Sequence, residues 1–367
     1  MSDERALKHG RILEYLTDHD LDAVLLSRRC NFSWYTCGAH NYVSCACDVG
    51  NSHLLVRRDG ACVLSNNIEA ARLAQEELAG SGIDVLDAPY FDTAAQSELV
   101  RRAIGTMRVA ADVPPAGVVV PQLPADFDRL RWTLTESEIA RYRAVCGDTV
   151  GAVESVAKKA EPGQTESDLA GMLSDALLRR GCQPWVLLVG GDERVAKFRH
   201  PLPAGKPVRK FFMLVACAER GGLIAACTRL ACFGAVQGEF ADRQQAVATV
   251  DAALMSTTQP GVALGDVFAE AQAAYASVGF PQEWRLHHQG GSIGYLPREL
   301  KAAPGEQTPA RANQAFAWNP SIRGAKSEDT ILCRSAGPEL LAEPTDWPAI
   351  DAEWKGQVFR RPAIREL

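Results

Sequence analysis

The amino-acid sequence predicts an α/β (α+β) protein of two domains, and three features carry that reading. Apolar strands alternate with helix-patterned segments over residues 1 to 130. A proline-dense stretch follows, from Val113-Pro114-Pro115 through Pro121 and Pro124, as inter-domain connections often read. Beyond it, helix, Pro-Gly, helix and sheet occur twice, over 135–232 and 240–333. The expected layout is an N-terminal mixed-sheet domain (1–130), a second domain with pseudo-twofold symmetry (131–345) and a C-terminal tail (346–367).

In the first domain, Arg5 to Thr17 sets Leu7, Ile12, Leu13 and Leu16 at helical spacing, and Ala23 to Leu26 reads as a buried strand. His53–Val56 and Ala61–Leu64 form a hairpin, because Asp59-Gly60 in the connection suits a tight turn. Ile68 to Leu78 is helical in composition, and Ile83 to Leu86 is a strand. Residues 31–52 are too long and too rich in small and aromatic side chains for a simple connection, and long ordered loops are often functional.

In the second domain, Thr135 followed by Glu138 is a capping box, and Ile139, Tyr142, Cys146, Val150 and Val153 carry the helix to Glu161-Pro162-Gly163. Another helix opens at Thr165 with Asp168 three residues on and closes at Arg180-Gly181. Phe211–Ala218 and Leu223–Cys232 flank Arg220-Gly221-Gly222, where glycine accepts positive φ, so a long β-ribbon is expected. Helices over Ala241–Thr257 and Leu264–Gly279 flank Pro260-Gly261, and a final pair of strands follows. The segment beyond Gly337, with Trp347, Trp354 and Pro362, is expected to dock at the surface.

Composition narrows the function classes. With 367 residues and 47% hydrophobic content, two ordinary cores are affordable. A net charge of -6 argues against nucleic acid as a partner. No apolar run reaches the ~18 residues of a membrane span, and the opening MSDERALKHG lacks a signal-peptide core, so a cytoplasmic protein is expected. Eleven cysteines scattered through apolar segments read as reduced, buried thiols, Cys45-Ala46-Cys47 included. No nucleophile elbow, phosphate loop or dinucleotide fingerprint is present, and no cofactor is expected.

His200, the ribbon ending in Thr228-Arg229, the HHQGGSIGY segment and the closing Lys326-Ser327-Glu328-Asp329-Thr330-Ile331-Leu332 resemble the creatinase/Xaa-Pro aminopeptidase/methionine aminopeptidase superfamily, the pita-bread fold. The resemblance covers nearly the whole chain and implies a creatinase-type N-terminal domain, a pita-bread catalytic domain and a homodimer. Most of the superfamily binds two metal ions through two aspartates, a histidine and two glutamates. Here those positions align with Val215, Ala226, Gly291, Asn319 and Glu328, and only the last keeps the ligand. Val, Ala and Gly side chains offer a cation nothing, so the chain reads as a metal-free member, as creatinase is.

The site residues expected from the resemblance are His200, Glu328 and His287 for catalysis. The loop histidine of the family moves a proton near the scissile bond, a role that suits an imidazole titrating near neutrality. Strand alternation sets Glu328 and Thr330 on one face and Asp329 on the other, and lets only one of His287 and His288 enter the pocket, with His287 favoured because it aligns with a semi-conserved family position. Glu328 with Asn319 is expected to hold a cationic group and Arg298 a carboxylate. Thr228 stands where creatinase has a glutamate, which makes creatine an unexpected substrate, and Thr228, His288 and Gln289 complete the expected substrate contacts. In creatinase-like dimers the loop matching 31–52 reaches the partner's active site, which adds Asp48, with His40 or Tyr42 beside it. The function this implies is metal-independent cleavage of a C–N bond, amide or amidine type, or a related bond, in a small zwitterionic substrate. Two other readings stand beside it: a pseudopeptidase kept as a binding module, and a conventional Xaa-Pro aminopeptidase with an atypical site. For Glu328 the bland alternative is an ion pair with Arg323 or Lys326.

Overall fold

A computed structural model of the protein describes residues 2–343 and 345–367. The chain forms two compact units, residues 1–131 and 132–367. In the first, α1 (Asp3–Asp18), β1 (Ala23–Arg28), α2 (Arg29–Thr36), β2 (Val49–Arg57), β3 (Gly60–Asn66), α3 (Ala70–Arg72), β4 (Asp84–Ala88), α4 (Thr93–Ile104) and β5 (Val109–Ala111) follow in order. They build a mixed five-stranded sheet, β4-β3-β2-β1-β5, parallel at its two outer pairs and antiparallel between. Leu25, Leu55, Leu64, Val100 and Ile104 pack one face. The β2–β3 hairpin turns where Asp59-Gly60 stands, with Arg57 opposite Gly60.

Residues 31–52 are not one long loop. Their first part completes α2, which buries Phe32, Trp34 and Tyr35, and their last part begins β2, leaving 37–48 as the connection. Aromatic residues are indifferent helix formers, so burial rather than propensity makes that helix.

The second unit opens with α5 (Glu136–Lys159) and α6 (Glu166–Leu178), followed by β6 (Gln183–Gly191), α7 (Glu193–Lys197), β7 (Phe211–Arg220) and β8 (Leu223–Cys232). Thr135 accepts from the Glu138 amide while Glu138 accepts from the Thr135 amide, and Thr165 with Asp168 repeats the device. Gly221 and Gly222 both take positive φ, 59° and 80°, and close the ribbon of β7 and β8. The plan then recurs with α8 (Gly238–Thr257), α9 (Leu264–Ser277), β9 (Gly290–Ile293), β10 (Leu300–Lys301), β11 (Ala315–Trp318), β12 (Ser321–Ile322), β13 (Ala325–Lys326), β14 (Asp329–Leu332) and β15 (Glu339–Leu340). Each half is two helices followed by three consecutive antiparallel partners in a sheet, β6-β7-β8 in one and β9-β11-β14 in the other, which is the pseudo-twofold pita-bread plan. The halves are stitched by hydrogen bonds from Thr228 N to Glu328 O (3.0 Å) and from Ala226 N to Thr330 Oγ1 (2.9 Å).

The terminal segment is a hairpin, β16 (Ala349–Trp354) with β17 (Gln357–Pro362), and then β18 (Arg365–Glu366) beside β8. It contributes more than surface cover. Arg361, 1% exposed, donates to Asp251 (2.7 Å) and Asp329 (2.9 Å), and Asp329 with Glu154 holds Arg229. Among the described residues no helix is long and apolar enough to cross a membrane.

Candidate active site

Under the ribbon lies a cavity of about 480 Å³ with two unlike walls. Val186, Leu188, Val215 and Cys217, from β6 and β7, make the apolar one; His200, His288, Arg298, Lys301, Asn319, Lys326 and Glu328 make the other.

His200 is carried on the loop between α7 and β7. That loop is pinned by its neighbours: the Val189 amide donates to Pro201 O (3.2 Å), and Pro201 lies so close to Gly190 that a β-carbon there would meet it at 2.7 Å. Arg199 donates to Ser321 Oγ (3.2 Å) and pairs with Glu283, fixing the other side. The His200 ring then reaches His287, with the two Nε2 atoms 3.0 Å apart, and His287 Nδ1 lies 3.3 Å from Ser321 Oγ. His288 stacks beside both, its ring centre 4.5 Å from His287 and 5.9 Å from His200.

Alternation therefore fails at the histidine pair. Residues 287–289 precede β9 rather than extend it, and Gly290 with φ 99° turns the chain, so both rings gather around His200. Of the two, His288 lines the cavity while His287 backs His200. All three imidazoles are pushed towards the neutral form. Burial is the main cause, with the nearby cations adding to it, and it takes His287 down to about 2 and His288 to about 4; His200 is lowered in the same way.

Glu328 is 1% exposed and saturated. Lys326 Nζ lies 2.8 Å from Oε2, Arg298 Nη2 donates to Oε1 (3.0 Å), and Thr228 Oγ1 donates to Oε2 (2.7 Å). Burial alone would raise this carboxyl, yet the Lys326 ammonium and the Arg298 guanidinium outweigh it and hold the group at about 2. Lys301, at the end of β10, has no ion-pair partner among the described residues.

The family model for metallopeptidase family M24 matches residues 140–335, more than half of the chain and the span that builds this cavity. The chain belongs to metallopeptidase family M24. Solved structures share the M24 chain's fold over nearly its whole length. Dipeptidase PepE from Mycobacterium ulcerans superposes with a TM-score of 0.75 at 19% identity, covering 99% of this chain and 98% of that one. X-Pro aminopeptidase from Thermotoga maritima gives 0.78 at 13% identity, over 98% and 99%. Prolidase from Pyrococcus horikoshii gives 0.77 at 18%, over 92% and 98%. No curated protein matches the chain.

A dinuclear metal centre does not fit the M24 site of this chain. Val215 and Ala226 are buried hydrocarbon at the two ribbon positions. At Gly291, φ is 150° and a β-carbon would sit 2.0 Å from Leu300 O, so the backbone leaves no room for any side chain there. The surviving carboxylate, Glu328, already carries a fixed cation on each oxygen. One group among the described residues could hold a single ion, His200 with His287 and His288, whose ligating atoms lie within 4.8 Å of one another. Three histidines are a number of ligands that a single zinc ion can use, but the Lys326, Arg298 and Lys301 charges around them oppose a cation.

Of the remaining expected contacts, Asn319 lines the cavity with its Oδ1 buried and unpartnered. Thr228 and Gln289 are fully buried and turned inward: Thr228 serves Glu328, and Gln289 accepts from Tyr275 OH (2.8 Å) while donating to the His287 and Trp284 carbonyls. Neither presents a free polar atom to a ligand, so each acts on the site through a neighbour. Asp48 belongs to the first unit, exposed, its backbone carbonyl accepting from Arg29 N. Sequence reading left out two cavity residues, Lys301 and Lys326 as a pocket cation, although Lys326-x-Glu328 spacing puts both on one face of an extended chain.

Proposed function

We propose that this M24 chain is a metal-independent hydrolase that cleaves a C–N bond, amide or amidine type, in a small carboxylate-bearing substrate, with His200 as the proton carrier. One observation carries the reading: Glu328, at the position where the resemblance puts a metal-binding glutamate, has Lys326 on one oxygen and Arg298 on the other. Fixed cations sit where mobile ones would have to bind. This also changes the role expected for Glu328. A carboxylate shared by two internal cations does not hold the cationic end of a zwitterion, and Arg298 and Lys301 favour an anionic end instead.

In the proposed reaction His200 takes a proton from water as its oxygen bonds to the substrate carbon, and returns that proton to the departing nitrogen as the C–N bond breaks. His287 is kept neutral by burial, and when His200 Nε2–H donates to His287 Nε2 across the 3.0 Å contact, His200 Nδ1 keeps the lone pair that takes the proton. The positive field of Lys326 and Arg298 supports the oxygen that gains charge.

The test is turnover across a panel of dipeptides, N-acyl amino acids and guanidino acids, with and without EDTA. His200→Ala should lower kcat by at least a hundredfold with an unchanged unfolding midpoint, and EDTA should change nothing. Stoichiometric metal in the purified protein, with EDTA inhibition reversed by manganese or zinc, would overturn the reading. A panel with no turnover, in a protein that still binds small molecules, would favour a binding module. A homodimer in the cytoplasm is the setting this reading takes, and light scattering checks the first half.

A further inference from the structure

The cavity is electrically unbalanced. Among the described residues that line it, Arg298, Lys301 and Lys326 are cations and Glu328 is the one acid. His200 and His288 add no charge at neutral pH, since burial lowers both. Three positive groups against one negative leave an excess of two positive charges, set against an apolar wall of Val186, Leu188, Val215 and Cys217. A low-dielectric wall strengthens that field rather than screening it.

A second observation is independent of charge. Three polar atoms on side chains that line this cavity, Arg298 Nε, His288 Nδ1 and Asn319 Oδ1, are buried behind its surface without a partner among the described residues. An unmet buried donor or acceptor costs about 1–3 kcal/mol, so three on cavity-lining side chains are polar capacity that a ligand recruits by turning those side chains inward. Arg298 Nε asks for an acceptor, Asn319 Oδ1 asks for an N–H or O–H, and the imidazole nitrogen takes either.

We infer that the ligand of this cavity is a small dianion, such as a dicarboxylic amide or an acidic N-acyl amino acid, and that Lys326 and Lys301 are its charge contacts beside Arg298. The inference rests on the proposal that this cavity is the active site and adds the substrate class to it. Lys326 has two faces to serve: its ammonium meets Glu328 at 2.8 Å and also borders the cavity. An ammonium has three donors, so the ion pair leaves it able to bind an anion.

Malonate is the probe, measured by calorimetry on the full chain at low ionic strength with EDTA present, against acetate as a monoanion and putrescine as a dication. Malonate should bind one per chain, raise the unfolding midpoint, exceed acetate in affinity by at least tenfold and weaken steeply with salt, while putrescine should not bind. Lys326→Met should weaken malonate at least tenfold. Because that change also exposes Glu328 to an unpaired state, Lys301→Met on the open rim is the second variant, with an expected loss of about fivefold and an unchanged midpoint without ligand. Absent malonate binding, preference for putrescine, or affinity untouched in both variants overturns the dianion. Metal found in the untreated protein, with malonate binding that EDTA abolishes, would instead sink the metal-free reading beneath it.

Discussion

Gly291→Ala adds a single carbon and should cost the protein several kcal/mol. On β9, Gly291 faces Lys301 of β10, and the new carbon would stand 2.0 Å from Leu300 O, 2.9 Å from Ala302 N and 3.0 Å from Lys301 Cα. Even a close C–H···O contact needs about 3.3 Å, so the strands must part by more than 1 Å. The bonds at risk are Ala302 N to Gly290 O (3.0 Å) and Glu299 N to Ser292 O (2.9 Å), each worth roughly 0.5–1.5 kcal/mol net. A φ of 150° adds about 1–3 kcal/mol for any residue with a β-carbon. The expected loss is therefore on the order of 3–5 kcal/mol, read by urea unfolding. Ser292→Ala is the control: its buried hydroxyl has no partner, so its removal should be near neutral. Gly291→His, which restores the family residue, should be at least as unstable and gain no metal. If Gly291→Ala falls within about 0.5 kcal/mol of the parent, the argument that backbone geometry forbids a ligand here is wrong.

Arg361→Met should cost about 3–5 kcal/mol, because it leaves three buried carboxylates, Asp251, Asp329 and Glu154, for one remaining arginine that does not reach Asp251. The loss should shrink at low pH, since burial already raises the Asp251 carboxyl and its proton would replace the missing partner; a loss independent of pH would contradict this. Acidification from pH 7.5 to 4.5 should lower the unfolding midpoint of the parent chain. The unfolded imidazole of His53 takes a proton near 6.5 but the folded, desolvated one only near 4, so the unfolded state binds more protons in that window and stability falls with pH, by roughly 3 kcal/mol for His53. A midpoint that rises on acidification, or one that His53→Gln leaves equally steep, refutes the assignment.

What could be read in the sequence was whatever depends on local chemistry. Thr135 with Glu138 and Thr165 with Asp168 cap their helices as their spacing requires, and Arg220-Gly221-Gly222 turns the ribbon because two successive positive φ values need glycine. Glu328 and Thr330 face one side while Asp329 turns to Arg229 and Arg361, as alternation demands. What escaped depends on long-range burial. The helix over Arg29–Thr36 exists because Phe32, Trp34 and Tyr35 find a core, and β6 begins at Gln183-Pro184, which reads as loop. The histidine pair was misjudged because alternation was applied to residues that are not in a strand.

The missing ligands and the fixed cations at this site answer to one physical requirement. A carboxylate buried as deeply as Glu328 costs several kcal/mol unless a positive group meets it. Val215 and Ala226 are hydrocarbon and Gly291 has no room for a side chain, so these three positions offer an ion no ligand beside Glu328. The chain supplies that charge twice from its own side chains: Lys326 two residues before Glu328 on the same face, and Arg298 from the segment between β9 and β10. The i, i+2 spacing of Lys326 and Glu328 is thus the sequence signal that a vacant ligand set alone does not provide.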